Sequence, residues 1–212
     1  MTRTARFSLD GIVERDALAA APFLLGATLS VLGPTTAVSV RLTEVEAYLG
    51  EHDPGSHAFR GRTARNSSMF EAGGRIYVYS IYGMHHCANI VCGPAGSASA
   101  VLLRAGEVTR GVEAARARRP RAQRDTDLAR GPARLCTALG LTREDDGALL
   151  GEAGGRARLV LPEEPVASAM IRRGPRTGVT GPGGDGDAYP WRFWIDGNPT
   201  VSAYRAAPRR TS

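Results

Sequence analysis

A glutamate near the end of a strand-like segment is well placed for acid–base chemistry. The segment TAVSVRLTEVEAY alternates between two faces, as a β-strand does. Six of its side chains are predicted to share one face: Val38, Val40, Leu42, Glu44, Glu46 and Tyr48. Because that face begins apolar, we expect Glu46 to lie where a core-facing strand ends, partly shielded from water beside a long loop. A carboxylate in such a place suits a general base or acid. The pattern also fits two glutamates that face solvent at a strand end.

Aromatic side chains cluster in the same part of the chain. Four of the six tyrosines lie in two strand-like segments: Tyr48, Tyr77, Tyr79 and Tyr82. Tyr77 and Tyr79 share one face of their strand, where cross-strand packing is the ordinary role of a tyrosine. Tyr82 precedes Gly83 at a predicted hairpin tip, where packing explains a large ring less well. Such a side chain can wedge between base pairs or stack on a splayed base.

The histidines and cysteines do not have the spacing of a metal site. His85 and His86 are followed by Cys87, with Cys92 further along, but neighbouring residues on a strand point to opposite faces. The CxxC and HxxxH pairs typical of zinc sites are missing from the sequence. We therefore expect no metal. His57, in the loop after Glu46, is the better functional candidate.

The excess positive charge of the chain is concentrated in one stretch. The net formal charge is +6, and residues 101–143 hold ten arginines against four acidic residues. The rest of the chain is balanced. A localised positive region favours a polyanion such as nucleic acid. A solvated, arginine-rich linker is the other explanation.

The sequence contains no lysine, so all 27 basic residues are arginines. Chemistry through a side-chain amine, such as a Schiff base to a sugar, therefore has no lysine to use. Only the N-terminal amine remains.

Short strands and helices must position these residues. Helices are predicted over 11–26, 107–119 and 132–139, and strands over 27–33, 36–48, 75–82, 85–92, 98–105, 156–163 and 191–197. Residues 49–74 form a long polar loop, and such loops are usually functional or disordered. The pattern predicts an α+β fold: one domain over residues 1–212, built on a curved antiparallel sheet with a few flanking helices. Short flexible termini are expected at about 1–8 and 206–212.

Composition excludes several other classes of protein. The hydrophobic fraction of 42% and charged fraction of 23% are ordinary for a globular domain. No apolar run reaches the roughly 18–20 residues of a membrane span, and the first residues lack the apolar core of a secretory signal. Three cysteines are an odd number for a disulfide framework. We expect a protein of the cytoplasm, associated with the nucleoid.

Taken in order, the motifs resemble the alkyladenine (3-methyladenine) DNA glycosylase family. The similar segments are TEVEAYLG, the later His57, RTARNSSMF, RIYVYSIYGMHHCANI, VLLRAGE, GPARLC and the tail RTGV…WRFWIDGNPTVS. Each motif is weak alone, but the ordered set, from about residue 20 to 205, is specific. The resemblance implies a partly open, barrel-like antiparallel sheet, no cofactor, a monomer, and double-stranded DNA with a damaged purine as substrate.

The resemblance also implies roles for the matching residues. Glu46 would activate the attacking water, and Arg104 would either hold the flipped nucleotide's phosphate or orient that carboxylate. Tyr82 would fill the gap left in the duplex. The base pocket would be formed by Tyr48, His57, Tyr79 and Asn89. Three residues of RTARNSSMF are predicted to contact the DNA backbone: Arg62, Arg65 and Asn66.

The chemistry implied is that of a monofunctional glycosylase. Bases inside a duplex are unreachable, so a wedge and an aromatic pocket are needed. An alkylated purine is already cationic and can leave without a general acid, so one carboxylate on water can suffice. The absence of lysine predicts an intact abasic site and no AP-lyase activity. We expect excision of alkylated or deaminated purines at the start of base excision repair.

Two features bear on alternatives to this hypothesis. Ser80 and the pair His85-His86 depart from the family pattern beside the pocket and could change which lesions are accepted. The family's sheet is also similar to the RNA-binding C-terminal domain of methionyl-tRNA formyltransferase, so the fold alone does not establish an enzyme. A non-catalytic recognition module for damaged DNA or structured RNA is therefore the alternative. Glu46 favours the enzyme, because a binder gains nothing from a buried acid beside a polyanion.

Overall fold

The chain begins with two short helices where one was predicted over residues 11–26. The computed structural model describes residues 8–81, 83–151 and 155–207. Helix α1 spans Leu9–Val13 and α2 spans Ala17–Leu24. The Asp16 side chain accepts a hydrogen bond from the backbone N–H of Ala19 at 2.8 Å. Asp16 therefore caps a new helix and interrupts the predicted one. Ser8 caps α1 in the same way, and the other residues of the expected flexible N-terminus lie outside the described part of the chain.

In the described residues, eight strands form one antiparallel sheet that is not closed into a barrel. The strands are β1 (Thr28–Leu32), β2 (Ala37–Tyr48), β3 (Ile76–Ile81), β4 (His85–Val91), β5 (Ala100–Arg110), β6 (Ala157–Val160), β7 (Ile171–Gly174) and β8 (Arg192–Ile195). Their order is β3-β4-β5-β2-β1-β6. Strand β8 pairs with the end of β2, and β7 pairs with β8. The predicted fold class, a mixed domain on an open antiparallel sheet, is confirmed.

Several element boundaries differ from the predictions made from the sequence. Strand β5 continues to Arg110, so the helix predicted over 107–119 is shorter, and α3 spans Val112–Arg118. Gly111 makes the turn between them with a φ of 71°, and a Cβ there would lie 2.4 Å from the carbonyl oxygen of Ala37. Helix α4 (Pro132–Leu139) agrees with the prediction. Strand β7 was not predicted, because its sequence IRRG has no apolar alternation.

A pair of register shifts changes which face of β2 carries the glutamates. The pairing of β2 with β5 shifts between Leu42 and Glu44 and again between Glu44 and Val45. The first shift leaves Thr43 as an extra residue in β2, and the second leaves Arg104 as an extra residue in β5. The alternation of β2 is therefore reversed once, beyond Thr43. Val45 and Ala47 therefore join the hydrophobic core that already holds Val38, Val40 and Leu42. The predicted single face is thus wrong: Glu44, Glu46 and Tyr48 point to the side opposite the apolar residues of the first half of the strand.

The hydrophobic core has two parts. The larger part packs α1, α2 and α4 against β1, β2 and β5. The smaller part lies under the 49–74 segment: Ala58, Met69, Phe70, Tyr77, Val91, Ala98 and Ala100. This packing, with short 3-10 turns at Gly50–His52 and Ser67–Phe70, gives the long loop a defined conformation. None of the described helices is long and apolar enough to cross a membrane.

Candidate active site

A pocket of about 340 Å³ opens where the ends of the central strands meet the 49–74 segment and residues 177–180. Five of the residues predicted from the sequence line it: Tyr48, His57, Tyr79, Asn89 and Arg104. They come from β2, the long segment, β3, β4 and β5. The structure therefore brings together residues that are far apart in the chain, in one concave site of a size suited to a small ligand.

Glu46 is fully buried immediately behind this pocket. Its Oε2 accepts hydrogen bonds from the Tyr48 hydroxyl at 2.9 Å and from the Arg104 guanidinium at 3.3 Å. Its Oε1 accepts from the backbone N–H of Thr177 at 2.7 Å. Three donors, one of them a cation, complement the negative charge and hold the carboxylate in one orientation.

Arg104 is buried and joins two carboxylates. Its Nε donates to Glu44 at 2.7 Å, while its other nitrogens reach Glu46 at 3.3 Å and the Ser202 hydroxyl at 3.4 Å. Burial acts to lower the pKa of Arg104, but the carboxylates of Glu46 and Glu44 raise it above its ordinary value. Of the two roles implied for Arg104, this geometry fits the orientation of the carboxylate.

Glu44 anchors the network from a position that sequence analysis did not assign. Its carboxylate accepts from Arg104 and from Arg192 Nε, each at 2.7 Å, and from the backbone N–H of Ser202 at 2.6 Å. Burial acts to raise the pKa of Glu44, but Arg104, Arg192 and Ser202 bring it below its ordinary value. The network thus ties β2, β5, β8 and the C-terminal segment together.

Two tyrosines and a histidine form an aromatic wall of the pocket. The rings of Tyr77 and Tyr79 stack with centroids 5.6 Å apart, and the His57 ring meets Tyr79 edge-on at 4.4 Å. His57 Nδ1 lies 3.2 Å from the Tyr77 hydroxyl. Burial, followed by Asp146, raises the pKa of Tyr77 to about 12. His57 keeps an exposed surface, but desolvation of its ring at the pocket wall and the charge of Arg65 lower its pKa, which favours the neutral ring.

Tyr48 is supported from behind by Arg176, which sequence analysis missed. The Arg176 guanidinium lies 4.5 Å from the centre of the Tyr48 ring and also contacts the rings of Tyr189 and Trp191. It forms a buried ion pair with both oxygens of Asp53, at 2.5 and 2.7 Å. The arginine at the start of the RTGV motif is the only sequence signal for this contact. Burial, followed by Glu46, raises the pKa of the Tyr48 hydroxyl well above its ordinary value.

The remaining pocket residue, Asn89, is held by a hydrogen bond to the neighbouring strand β3. Its Nδ2 donates to the carbonyl oxygen of Tyr77 at 3.1 Å, across the β3–β4 pair. Only 4% of the residue is exposed. Its amide is thus fixed at the pocket surface.

The predicted DNA-backbone residues separate into two groups. Arg62 and Arg65 are exposed: Arg62 lies 3.7 Å from Glu71, and Arg65 donates to the carbonyl of Ser80 at 3.1 Å. Asn66 is 98% buried, and its side chain bonds to Thr63, Gly61 and the carbonyl of His57. Its polar atoms are occupied inside the loop, and the predicted DNA contact of Asn66 stays a prediction. These hydrogen bonds of Asn66 hold the loop that carries His57 in its conformation.

The β3–β4 hairpin carries the other predicted contact, Tyr82, which lies outside the described residues. Beside it, Met84 is 76% exposed. At the base of the hairpin, the Ser80 hydroxyl lies 3.1 Å from His86 Nδ1. Ser80 and His86, two of the three residues that depart from the family pattern, thus contact each other.

An arginine-lined cleft adjoins the pocket. It has a volume of about 370 Å³ and shares Arg104, Pro132 and Thr177 with the pocket. The cleft is also lined by Arg130, Arg134 and Arg205. Partial burial, followed by the charge of Arg134, lowers the pKa of Arg119. Elsewhere in the arginine-rich stretch, Arg116 pairs with Glu113 and Asp125, and Arg124 pairs with Asp127. Only part of the stretch is therefore available to a polyanion.

The histidines and cysteines are dispersed in the part of the chain that the structure describes. No group of three or more metal-binding side chains could hold an ion there. Cys87 lines the pocket as a buried thiol, and burial raises its pKa to about 11. The three cysteines are buried and unlinked.

Comparison with known proteins gives a consistent result. The sequence model described as methylpurine-DNA glycosylase (MPG) matches residues 11–199. Similar proteins named "Putative 3-methyladenine DNA glycosylase" occur in Streptomyces avermitilis (55% identical over 197 residues, 92% of this chain and 91% of the relative) and Leifsonia xyli subsp. xyli (52% over 197 residues, 90% and 89%). A protein of the same name in Mycobacterium tuberculosis is 44% identical over 199 residues, 92% of each chain.

Proposed function

Because the chain belongs to the methylpurine-DNA glycosylase family, whose members hydrolyse N-glycosyl bonds in DNA, we propose that it excises damaged purines with Glu46 as the general base. The observation that carries this proposal is the buried Glu46 carboxylate, oriented by Tyr48, Arg104 and Thr177 at the back of a pocket. The substrate is double-stranded DNA, in which the target nucleotide is turned out of the duplex to enter the pocket.

Hydrolysis at this site needs one water and one carboxylate. Glu46 accepts a proton from the water while the water oxygen attacks the anomeric carbon. The bond to the base breaks, and its electron pair leaves with the purine. Alkylation at N3 or N7 makes the purine cationic, so that it leaves without a general acid. The products are the free base and an abasic sugar.

The aromatic wall supports selection of alkylated bases. Tyr48, Tyr79 and His57 present ring faces and edges to the pocket, and a cationic ring is attracted to π faces. Because the lowered pKa keeps His57 neutral, it adds no charge that would repel such a base. Asn89, fixed by Tyr77, is placed to discriminate against normal purines by unfavourable contacts at the purine edge.

The reaction ends at base release. Cleavage of the abasic strand requires an amine that forms a Schiff base with the sugar, and the sequence has no lysine. We infer a monofunctional enzyme without AP-lyase activity. It acts as one domain and as a monomer at the start of base excision repair, on nucleoid DNA.

The backbone of the DNA is bound by exposed arginines. Arg65 lines a small hollow together with His57 and Tyr77, Arg62 is exposed on the same loop, and the arginine-lined cleft adjoins the pocket. Tyr82, which follows β3 in the sequence, fills the space left by the flipped nucleotide. Pairing of arginine with phosphate is independent of sequence, which suits an enzyme that searches for damage.

The proposal is tested by Glu46→Gln. The substitution removes the base but keeps the shape, so we expect the rate of base release to fall about 10²- to 10⁴-fold, the range that a general base supplies. Release of 3-methyladenine and 7-methylguanine is measured from DNA methylated with dimethyl sulfate, with enzyme in excess. Strand breaks are scored with and without alkali. Glu51→Gln, the same change at an exposed residue of the following loop, is the control.

Each result has a definite meaning. Release that is lost in Glu46→Gln and retained in Glu51→Gln supports the general base. Breaks without alkali would contradict the monofunctional mechanism. Tight binding of methylated DNA by the wild-type protein, with no release of either base, would indicate the non-catalytic recognition module instead.

A further inference from the structure

The base pocket and the arginine-lined cleft meet at the residues that hold Glu46. The two concavities have volumes of about 340 and 370 Å³ and share Arg104, Pro132 and Thr177. Arg104 donates to Glu46 Oε2 at 3.3 Å, and the backbone N–H of Thr177 donates to Oε1 at 2.7 Å. The carboxylate is therefore held at the junction between the pocket and the cleft.

A nucleotide has its parts in the same order as this double site. Its sugar lies between the base and the phosphate, and the bond to be hydrolysed joins the sugar to the base. With the base in the pocket and the anomeric carbon beside Glu46, the phosphate on the far side of the sugar faces the cleft. Each concavity is within the size range of sites for small ligands.

The cleft carries positive charge that the described part of the protein does not neutralise. Arg134 and Arg205 are exposed there, and no carboxylate of a described residue lies within 4.0 Å of either side chain. Arg130, the third arginine, donates to the carbonyl oxygen of Val201 at 2.8 Å and lies 3.6 Å from Asp127. Guanidinium groups without a carboxylate partner suit a phosphate, which they bind through charge-assisted hydrogen bonds.

The arginines of the cleft are connected to the wall of the pocket through the main chain. The carbonyl oxygen of Arg205 accepts a hydrogen bond from the backbone N–H of Gly178 at 3.0 Å, and Gly178 lines the pocket. Arg134 lies in the first turn of α4, two residues after Pro132, which lines both concavities. The groups that bind a base and those that face the cleft are thus parts of one framework.

We propose that the pocket and the cleft form a complete site for one damaged nucleotide, and that the protein also hydrolyses free 2′-deoxynucleoside monophosphates whose purine is alkylated; this inference rests on the proposed function. A free nucleotide enters without the cost of leaving a duplex. Glu46 accepts one proton of the water, whose oxygen bonds to the anomeric carbon. The bond to the purine breaks, and its electron pair neutralises the cationic base. The products are the free base and 2-deoxyribose phosphate.

The test compares three small substrates that differ only in the phosphate. They are 7-methyl-2′-deoxyguanosine, its 5′-monophosphate and its 3′-monophosphate. Release of 7-methylguanine is followed by chromatography, and spontaneous release in a reaction without enzyme is subtracted. Base release from dimethyl sulfate-methylated DNA is measured with the same preparation.

We expect kcat/KM for at least one monophosphate to exceed that for the nucleoside by about ten-fold or more, as hydrogen bonds to a charged phosphate would provide. The double variant Arg134→Ala, Arg205→Ala should bring this ratio to within about two-fold of one. The matched double variant Arg158→Ala, Arg173→Ala removes two exposed arginines that line neither concavity, and it should keep the ratio. Glu46→Gln should stop enzymatic release from all three substrates.

Three results would overturn the inference while release from DNA continues. The first is no release from either monophosphate above the spontaneous rate. The second is the same kcat/KM for the nucleoside and both monophosphates, and the third is a ratio that the cleft variant leaves unchanged. Absence of base release from methylated DNA by the wild-type protein would instead contradict the proposed function itself.

Discussion

The Tyr48 side chain makes two kinds of contact in this site, one through its hydroxyl and one through its ring. Its hydroxyl donates to Glu46 Oε2 at 2.9 Å, while its ring lines the pocket and lies over the Arg176 guanidinium. Burial and the Glu46 carboxylate raise the pKa of the hydroxyl well above its ordinary value. The proton therefore stays on the phenol through the neutral range, and Tyr48 remains a donor wherever the enzyme works.

Tyr48→Phe should separate the two functions. Removal of the hydroxyl leaves one oxygen of Glu46 with a single donor, so we expect base release with excess enzyme to slow by about ten-fold. The ring is retained, so affinity for a duplex with one 7-methylguanine should change less than three-fold, about 0.6 kcal/mol. Tyr204→Phe, the same change at an exposed tyrosine, is the control. A loss of affinity as large as the loss of rate would contradict this assignment.

At the level of elements, the sequence predicted those helices and strands whose formation depends on residues close together in the chain. Alternation and turn residues were sufficient for the paired strands β1–β2 and β3–β4, and for α4 between Pro132 and Gly140. The bulge beside Glu44 was not predicted, because neither Thr43 nor Glu44 is a residue type that marks a bulge. Strand β7 was missed because its pairing with β8 replaces the missing apolar pattern.

The candidate site was predictable only in part for a similar reason. Family motifs brought Glu46, Tyr48, His57, Tyr79, Asn89 and Arg104 together. The supporting contacts join residues that are distant in the chain: Arg192 is 148 residues from Glu44, and Arg176 is 123 residues from Asp53. The sequence alone does not show whether a charged side chain is solvated or forms a buried ion pair. These pairs appear only when the sheet is assembled.

The Glu44 network should make the sheet sensitive to acid. In the folded protein the pKa of Glu44 lies below its ordinary value of 4.5. Its contribution to the free energy of unfolding is therefore present above about pH 4.5 and is lost as the pH falls through the lowered value. Glu44→Gln leaves two buried arginines short of a charged partner, so we expect a loss of about 3 kcal/mol at pH 7. The difference from wild type should shrink as the pH falls below 4.5 and through the lowered pKa of Glu44.

Urea unfolding at a series of pH values measures this difference. The other carboxylates titrate in both proteins, so the comparison isolates Glu44. Glu107→Gln is the matched control, since Glu107 pairs with Arg41 at 2.6 Å on the surface, with side chains about half exposed. Surface pairs contribute about 1 kcal/mol or less. A Glu44→Gln effect no larger than this control would show that the network does not stabilise the sheet.

At the scale of the whole molecule, the net charge of +6 is less informative than its distribution. Several arginines of the 101–143 stretch already pair with carboxylates of the protein. Arg104 does so in the buried site, and Arg116 and Arg124 do so at the surface. Arg134 and Arg205 differ, because no carboxylate in the described part of the chain lies within 4.0 Å of either side chain. Both line the cleft beside the pocket. The phosphates of a duplex whose flipped nucleotide occupies the pocket are the natural partners of this cleft.

Arg134→Ala should therefore weaken DNA binding through electrostatics alone. Each phosphate contact releases about 0.9 counterion, so the slope of log K against log salt concentration should fall in magnitude by about 1. We expect affinity to drop several-fold for both damaged and undamaged duplexes, measured by fluorescence anisotropy from about 50 to 200 mM salt. Arg158→Ala is the control: it removes the same charge from the edge strand β6, which is separated from β5 by two strands of the sheet. An equal slope change in both variants would mean that net charge, and not this cleft, binds DNA; a change confined to Arg134→Ala would place the duplex along the cleft.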